Sequence, residues 1–400
     1  MNSAILEKEI NTYFDYNATT PMSETVKLAI IDSLSLFANP SSQYQKSLPV
    51  RNLLVSARQA MASLLNCDEA ELVFTSGGSE ANNLAIKGVL GNIPPGTGHV
   101  VISSIEHPSV LEVIRYFESE KGLAISWIKP DSSGAISASD VQQSLRADTK
   151  MVILMAVNNE TGTIQPFYEV AELAQQHNIH CHIDGVQAVG KLQLNCHELQ
   201  AHSLSFASHK FYGPKGIGGL YIRKGCSFSP LIHGGGQESG WRAGTENTLG
   251  LAGLAAAARE AKEKFLQWQQ QLLYLRGQLI AGLQREIPGI LINGTQKSDQ
   301  VVANTINVSL PGIRAEALAA LLDVHHQIAV SIGSACSNNK ASRRSHVLQA
   351  MGLNNERIDS AVRISIGQFT NEHAINHLIK AISTEYQALL ALSMDMEVTV

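Results

Sequence analysis

Residues 151–190 read MVILMAVNNETGTIQPFYEVAELAQQHNIHCHIDGVQAVG. An apolar run at 151–157 is followed by a helix-length segment at 167–176 and a second apolar run at 179–183. Two near-continuous apolar strands joined through a helix are the signature of a parallel pair buried on both faces. The second run ends in Asp184. A carboxylate at the C-terminal end of a strand lies where open α/β sheets bind their ligands.

The same alternation extends on both sides, from Glu71 to Thr248, with further apolar runs at 72–74, 100–102, 204–206 and 219–222. It predicts an α/β fold with a mostly parallel sheet covered by helices on both faces. The last run follows a glycine-rich turn and is free to be antiparallel. Residues 249–286 are rich in Ala, Gln and Leu, good helix formers, and read as one long helix or two abutting ones leading to a second domain. After Pro288 the runs shorten, at 305–309, 328–331 and 362–366. They predict a smaller α+β domain.

Composition bounds the function. A chain of 400 residues has room for two or three domains, or one large domain with an appendage. Hydrophobic residues at 44% and charged residues at 16% exclude a mainly disordered chain. A net charge of −5 argues against a strongly basic nucleic-acid binder. The N-terminus carries charges early and has no long apolar core, unlike a secretory leader. The longest apolar run, 249–258, falls well short of the roughly 20 residues a bilayer span needs. Five scattered cysteines (Cys67, Cys181, Cys196, Cys226 and Cys336) without any CxxC suggest neither a disulfide framework nor a zinc finger. The cytoplasm is the expected compartment.

Five segments carry chemistry. Phe74-Thr75-Ser76-Gly77-Gly78-Ser79-Glu80 is a strand, a small-residue turn and a helix start. Free N–H groups there can hold a phosphate, although the segment alone reads more readily as an ordinary βα turn. Gly185-Val-Gln-Ala-Val-Gly190-Lys191-Leu192 approaches the P-loop spacing but has Leu192 where Mg²⁺ needs a hydroxyl, so the match is read as chance. His180 and His182 share a strand face; a metal pair is possible, but polar residues at a strand end are the better reading. Lys210 follows an apolar strand and precedes a Gly/Pro turn. A lysine in a partly dry pocket readily forms a Schiff base, and Asp184 ahead of it and the phosphate cup complete the set that pyridoxal phosphate (PLP) requires. Cys336 stands in the polar loop Ser331-Ile-Gly-Ser-Ala-Cys336-Ser-Asn-Asn-Lys, where a thiolate can reach a substrate.

In their order and spacing these segments resemble the cysteine desulfurases of the NifS/IscS-like group, class V members of the fold-type I PLP enzymes. The resemblance runs from Phe14-Asp-Tyr-Asn-Ala-Thr-Thr-Pro21 to Arg363-Ile-Ser-Ile-Gly367. It implies a large PLP-binding domain, residues 17–261, with a mostly parallel seven-stranded sheet. Residues 1–16 and 262–400 would form a small α+β domain carrying the cysteine loop. By position, Lys210 would hold the cofactor as a Schiff base and Asp184 would pair with the pyridine nitrogen. Gln187 would contact the ring hydroxyl, and His107 would stack on the ring and move protons. Gly78, Ser79 and His209 would hold the phosphate, with Thr245 reaching the phosphate of the other subunit of a homodimer. Asn158 and Arg363 would hold L-cysteine. Lys210, once displaced, would take the α-proton, and Cys336 would attack the substrate sulfur, become a persulfide and leave L-alanine. A protein sulfur acceptor is implied, serving tRNA thiolation, DNA phosphorothioation or iron–sulfur assembly. No metal, membrane or direct nucleic-acid contact is implied. The alternatives are a selenocysteine lyase or another class V PLP enzyme, or a non-catalytic assembly subunit.

The chain departs from the family's pattern at Ala207, where a serine is usual, with Ser208 shifted next to the His-Lys pair. Tyr44 and Ser239 replace a usual histidine and a basic residue, and Arg343-Arg344 precede Ser345-His346. A phosphate hydroxyl is therefore expected to be lost or supplied from Ser208. The arginine pair is expected to be a solvated loop end or a contact for an acidic partner.

Overall fold

The structure is a computed structural model that describes residues 11–333 and 344–397. Its first part lays down α1 (Glu24–Ser33), α2 (Leu48–Leu65), β1 (Leu72–Thr75), α3 (Gly78–Leu90), β2 (His99–Ser103), α4 (Pro108–Lys121), β3 (Ala124–Ile128) and α5 (Ala138–Gln143). It continues through β4 (Thr149–Met155), α6 (Phe167–Gln176), β5 (His180–Asp184), β6 (Ser203–Ala207) and β7 (Gly218–Ile222). These strands form one sheet of seven in the order β1-β7-β6-β5-β4-β2-β3. The pairs from β3 to β6 are parallel, whereas β7 runs antiparallel to both β6 and β1. The opening stretch of sequence is thus β4-α6-β5, a parallel pair at the centre of the sheet. Every residue of β4 but Lys150 is buried, which explains the unbroken apolar run.

A single helix, α7 (Thr248–Glu286), then joins two cores. Leu251, Leu254, Ala258 and Ala261 pack in the core against the large sheet. Leu272, Leu275, Leu279 and Leu283, on one face at helical spacing, enter a separate core. Of the elements that follow, α9 (His346–Ala350) and α10 (Asn355–Asp359) send Val347, Leu348 and Ile358 into the first core, whereas the second core is built on β8 (Leu291–Ile292), β9 (Thr305–Ser309), α8 (Ala315–His326), β10 (Ser331–Ile332), β11 (Ala361–Ser365) and α11 (Glu372–Glu397). Its sheet, β10-β11-β9-β8, is antiparallel throughout. The N-terminal segment crosses between the cores: Phe14 lies in the second and Tyr16 in the first.

The structure adds two strands to those expected. β3 is an edge strand with four half-buried residues, and β8 is two residues long, so neither carries a strong apolar run. The run at 328–331 pairs with β11 only from Ser331, while Ala329 bridges to Tyr13 instead. Among the described residues no helix is long and apolar enough to cross a membrane.

Candidate active site

A cavity of about 330 Å³ opens at the C-terminal ends of β4, β5 and β6. α3 starts there. Its N-cap, Gly77, offers no side-chain cap, so the first N–H groups of the helix are left for a ligand. Gly78 and Ser79 border the cavity. A Cβ on Gly78 would come within 2.6 Å of Val186 Cγ2, so only glycine lets the helix start this close to the end of β5.

Asp184 is buried at the end of β5. Its Oδ2 accepts from Asn82 Nδ2 at 2.8 Å and its Oδ1 from Val186 N at 3.0 Å. Asn82 is held in turn by His182, whose Nε2 lies 3.0 Å from Asn82 Oδ1. Since Asn82 turns its amide nitrogen to Asp184, its oxygen accepts from His182, which therefore carries its proton on Nε2. Burial pushes His182 down to about 4, against the pull of Asp184, so the ring is neutral. His180, the other half of the notional metal pair, stacks on His202 with ring centroids 4.6 Å apart. The two histidines of one strand thus serve different neighbourhoods.

His107 caps α4 and stands in the cavity. Its Nδ1 accepts from Ser109 N at 3.1 Å and lies 2.9 Å from Ser109 Oγ, which leaves the ring proton on Nε2, available to a ligand. Desolvation lowers its pKa, and Lys210 and His346 add to that against the opposing pull of Asp184. Beneath it, Glu106 is fully buried; it accepts from Met155 N at 2.8 Å and from Ser103 Oγ. Burial, with help from Asp184, raises its carboxyl to about 8. Glu106 is therefore protonated near neutrality.

Lys210 ends the short turn Ser208–Lys210 after β6. Its Nζ donates to the carbonyls of Asn17 (2.6 Å) and Ala18 (2.8 Å) while also bordering the cavity. His209 places Nδ1 3.2 Å from Thr19 Oγ1, and burial beside Lys210 and Lys215 takes its pKa down to about 4. Arg363, at the middle of β11, is buried at the same cavity. Its Nη2 pairs with Asp15 at 2.6 Å and its Nη1 donates to Asn159 O at 3.0 Å, whereas its buried Nε has no partner among the described residues.

Gly78, Ser79, His107, Asp184, Gln187, His209, Lys210 and Arg363 thus converge from distant parts of the chain. Among the described residues, two expected ones do not. Asn158 is fully buried and holds its own loop: its Oδ1 accepts from Glu160 N, Thr161 N and Thr161 Oγ1. Its neighbour Asn159 borders the cavity in its place. Thr245 is exposed and borders no part of its own chain's cavity. Cys336 lies outside the described residues, as does Arg343. The described residues that precede Cys336 in the chain include β10, where Ser331 is paired with Arg363. Ser208 does not replace the missing phosphate hydroxyl: its Oγ is buried without a partner and a Cβ on Gly213 would lie 1.9 Å from it, while Ala207 faces the cavity. Arg344 is held by a two-point ion pair with Asp359 at 2.6 and 2.7 Å, and so is committed within its own chain. From sequence alone Asn17, Asn82 and Glu106 have no assigned role and Lys191 is read only within a chance P-loop match, because the bonds Asn82–Asp184, Glu106–Met155 and Asn17–Lys191 join positions 102, 49 and 174 residues apart.

A family profile described as aminotransferase class-V matches residues 12–378. The chain is 38% identical over 371 residues to a cysteine desulfurase IscS of Clostridium botulinum, covering 92% of this chain and 93% of that one. Among solved structures it is similar to a NifS-like protein, with a TM-score of 0.86, 34% identity and coverage of 93% and 98%. It is also similar to SspA in complex with cysteine, with a TM-score of 0.75, 32% identity and coverage of 90% and 100%.

Proposed function

The chain belongs to the class-V aminotransferase family and is a cysteine desulfurase, and from that premise we propose which of its residues do the work. The observation that carries the reading is the convergence of Lys210, Asp184 and Arg363 on one cavity with the uncapped start of α3. These residues fit pyridoxal phosphate. The α3 N–H groups at Gly78 and Ser79, with His209, would hold the phosphate; buried Asp184 would pair with the pyridine nitrogen; Gln187, which lines the same cavity, would contact the ring oxygen. When bound, the cofactor supplies an electron sink that acidifies the substrate's α-carbon.

The chain's own residues then divide the task. Arg363 binds the carboxylate of L-cysteine. Lys210 Nζ would take the α-proton, and His107 Nε2 would move the proton nearest the sulfur. Asn158 shapes the loop that presents Asn159. Cys336 attacks as thiolate: the substrate C–S bond breaks, a Cys336 S–S bond forms, and protonation at carbon yields L-alanine. No external oxidant is required, because the sulfur is oxidised as the carbon is reduced. The residue numbers 17–261 and 1–16 with 262–400 mark the proposed large and small domains, the second bringing both Arg363 and Cys336. The enzyme works in the cytoplasm and passes sulfur to a protein acceptor.

Mass spectrometry of the Cys336 peptide, without reductant, after brief exposure to L-cysteine tests this reading. A gain of one sulfur atom is expected. PLP-loaded protein that forms alanine without that gain would remove Cys336 from the mechanism.

A homodimer is the reading for Thr245, which does not border the main cavity of its own chain and would serve that of a partner. Exposed Leu28, Ile31, Leu34 and Phe37, the last 84% exposed, form an apolar stretch on and after α1 suited to burial against a second copy. Light scattering is expected to give twice the chain mass; a monomer that retains PLP would overturn the role of Thr245.

A further inference from the structure

Lys191 ends the segment that approaches the P-loop spacing, and the structure gives that segment a different reason to exist. Gly190 has φ +79°, and a Cβ there would come within 2.5 Å of Phe211 Cβ. Glycine thus brings the Lys191 backbone tight against the residue that follows Lys210. Gln269 Nε2, from α7, donates to Lys191 O at 2.8 Å and holds it there. The side chain turns inward. Nζ donates to Gln187 Oε1 at 2.5 Å and to Asn17 Oδ1 at 2.9 Å.

Donor inventory fixes what this does. A lysine amine donates here, so the Gln187 atom facing it must be the amide oxygen. A backbone carbonyl only accepts, so the Gln187 atom 3.0 Å from Asn17 O must be the amide nitrogen. The two contacts agree on one orientation, which leaves the second N–H of Gln187 for the cavity. The Asn17 side chain is fixed in the same way: its Oδ1 accepts from Lys191 and from Asn304 Nδ2 at 2.9 Å, and its Nδ2 donates to Thr305 Oγ1 at 2.8 Å. Asn17 O is also the acceptor for Lys210 Nζ. Lys191 and Lys210 border one further cavity of about 20 Å³, room for a single water.

We propose that Lys191 is a positioning residue that locks Gln187 as a donor toward the cofactor's ring oxygen and fixes the side chain of Asn17, the residue whose backbone carbonyl accepts from Lys210. The inference rests on the reading that Gln187 faces the PLP ring. The charged groups around Lys191 are Lys210 and Arg363, the latter paired with Asp15 across β11. Desolvation, then Lys210, then Arg363 depress Lys191 well below an ordinary lysine, and either protonation state still supplies the two donors used.

A donor or cation at the ring oxygen lowers the proton affinity of the neighbouring lysine–cofactor linkage, so its loss raises it. The pH midpoint of the long-wavelength absorption band of PLP-loaded protein reads this directly. Lys191→Met is expected to raise the midpoint by roughly one unit, a tenfold change, while Lys191→Arg moves it by only a few tenths. In a Gln187→Met background, Lys191→Met is expected to add little, because both act through one amide. An unchanged midpoint in Lys191→Met, even with a lowered melting temperature, would overturn the proposal, and so would an equal shift in the Gln187→Met background. If Lys191→Met does not fold, Lys191→Gln, a neutral donor, carries the same comparison with a smaller rise expected. Absence of the band in the wild-type protein would instead defeat the cofactor reading.

Discussion

Lys210→Ala is expected to lower alanine formation from L-cysteine by roughly a thousandfold or more and to abolish the visible band of bound PLP. Two separate duties are lost in one substitution. The first is attachment: no other lysine amine borders the main cavity among the described residues. The second is proton transfer at the α-carbon, which by itself is worth roughly a hundredfold to ten-thousandfold. The geometry leaves little to compensate. His107 offers Nε2 but is fixed through Nδ1 to Ser109 at the start of α4, and His209 is directed to Thr19. The fold, by contrast, is expected to survive. Lys210 is only half-buried, and the carbonyls of Asn17 and Ala18 that it leaves border the open cavity, where water can replace it. Asn17 O also keeps Gln187 as a donor. A melting temperature close to wild type, with alanine formation and the visible band both gone, is the expected combination. Retention of a tenth of the activity would remove Lys210 from the chemistry. Lys210→Arg is expected to fail as fully, since a guanidinium stays protonated and cannot form the linkage.

Much of this site was legible in the sequence because it follows from strand ends. Asp184 and Lys210 close consecutive parallel strands, β5 and β6, and an α/β sheet puts both at one edge. The glycine-rich start of α3 was legible for the same reason. What was not legible is everything decided by side-chain direction after folding. Asn158 and Asn159 are adjacent and identical, yet one knits its own loop and the other faces the cavity. Ser208 sits one position from the expected serine, and that one step, from the end of β6 into the turn Ser208–Lys210, turns the hydroxyl into Gly213 instead of the cavity. Lys191 looks like part of a failed nucleotide motif because one partner that gives it a role, Asn17, lies 174 residues away. The edge strand β3 escaped for a different reason. Its residues are only half-buried, so the apolar run that marks a central strand is missing.

Arg363→Ala is expected to reduce kcat/KM for L-cysteine by roughly a hundredfold to a thousandfold, the range for truncating one partner of a buried charge-assisted pair. The loss is expected in KM more than in kcat. The reason lies in how the guanidinium is engaged. Of its five N–H donors, one on Nη2 goes to Asp15 and one on Nη1 goes to Asn159 O. Those two contacts fix the plane of the group. The buried Nε has no partner among the described residues, and an unpaired buried donor is costly unless a ligand satisfies it. A carboxylate that meets Nε and a neighbouring Nη together satisfies it with the parallel two-point geometry that arginine favours. Lysine has one charged point and cannot reproduce that, so Arg363→Lys is expected to recover only part of the loss. This interaction is made with bound substrate and persists through the reaction, which places it in ground-state binding and hence in KM. Asp15, partly exposed, can turn to solvent when its partner is removed, so the melting temperature is expected to change little. A variant with unchanged KM and a collapsed kcat would assign Arg363 to the chemical step instead. A variant that melts far below wild type would make it a structural tie between β11 and the N-terminal segment.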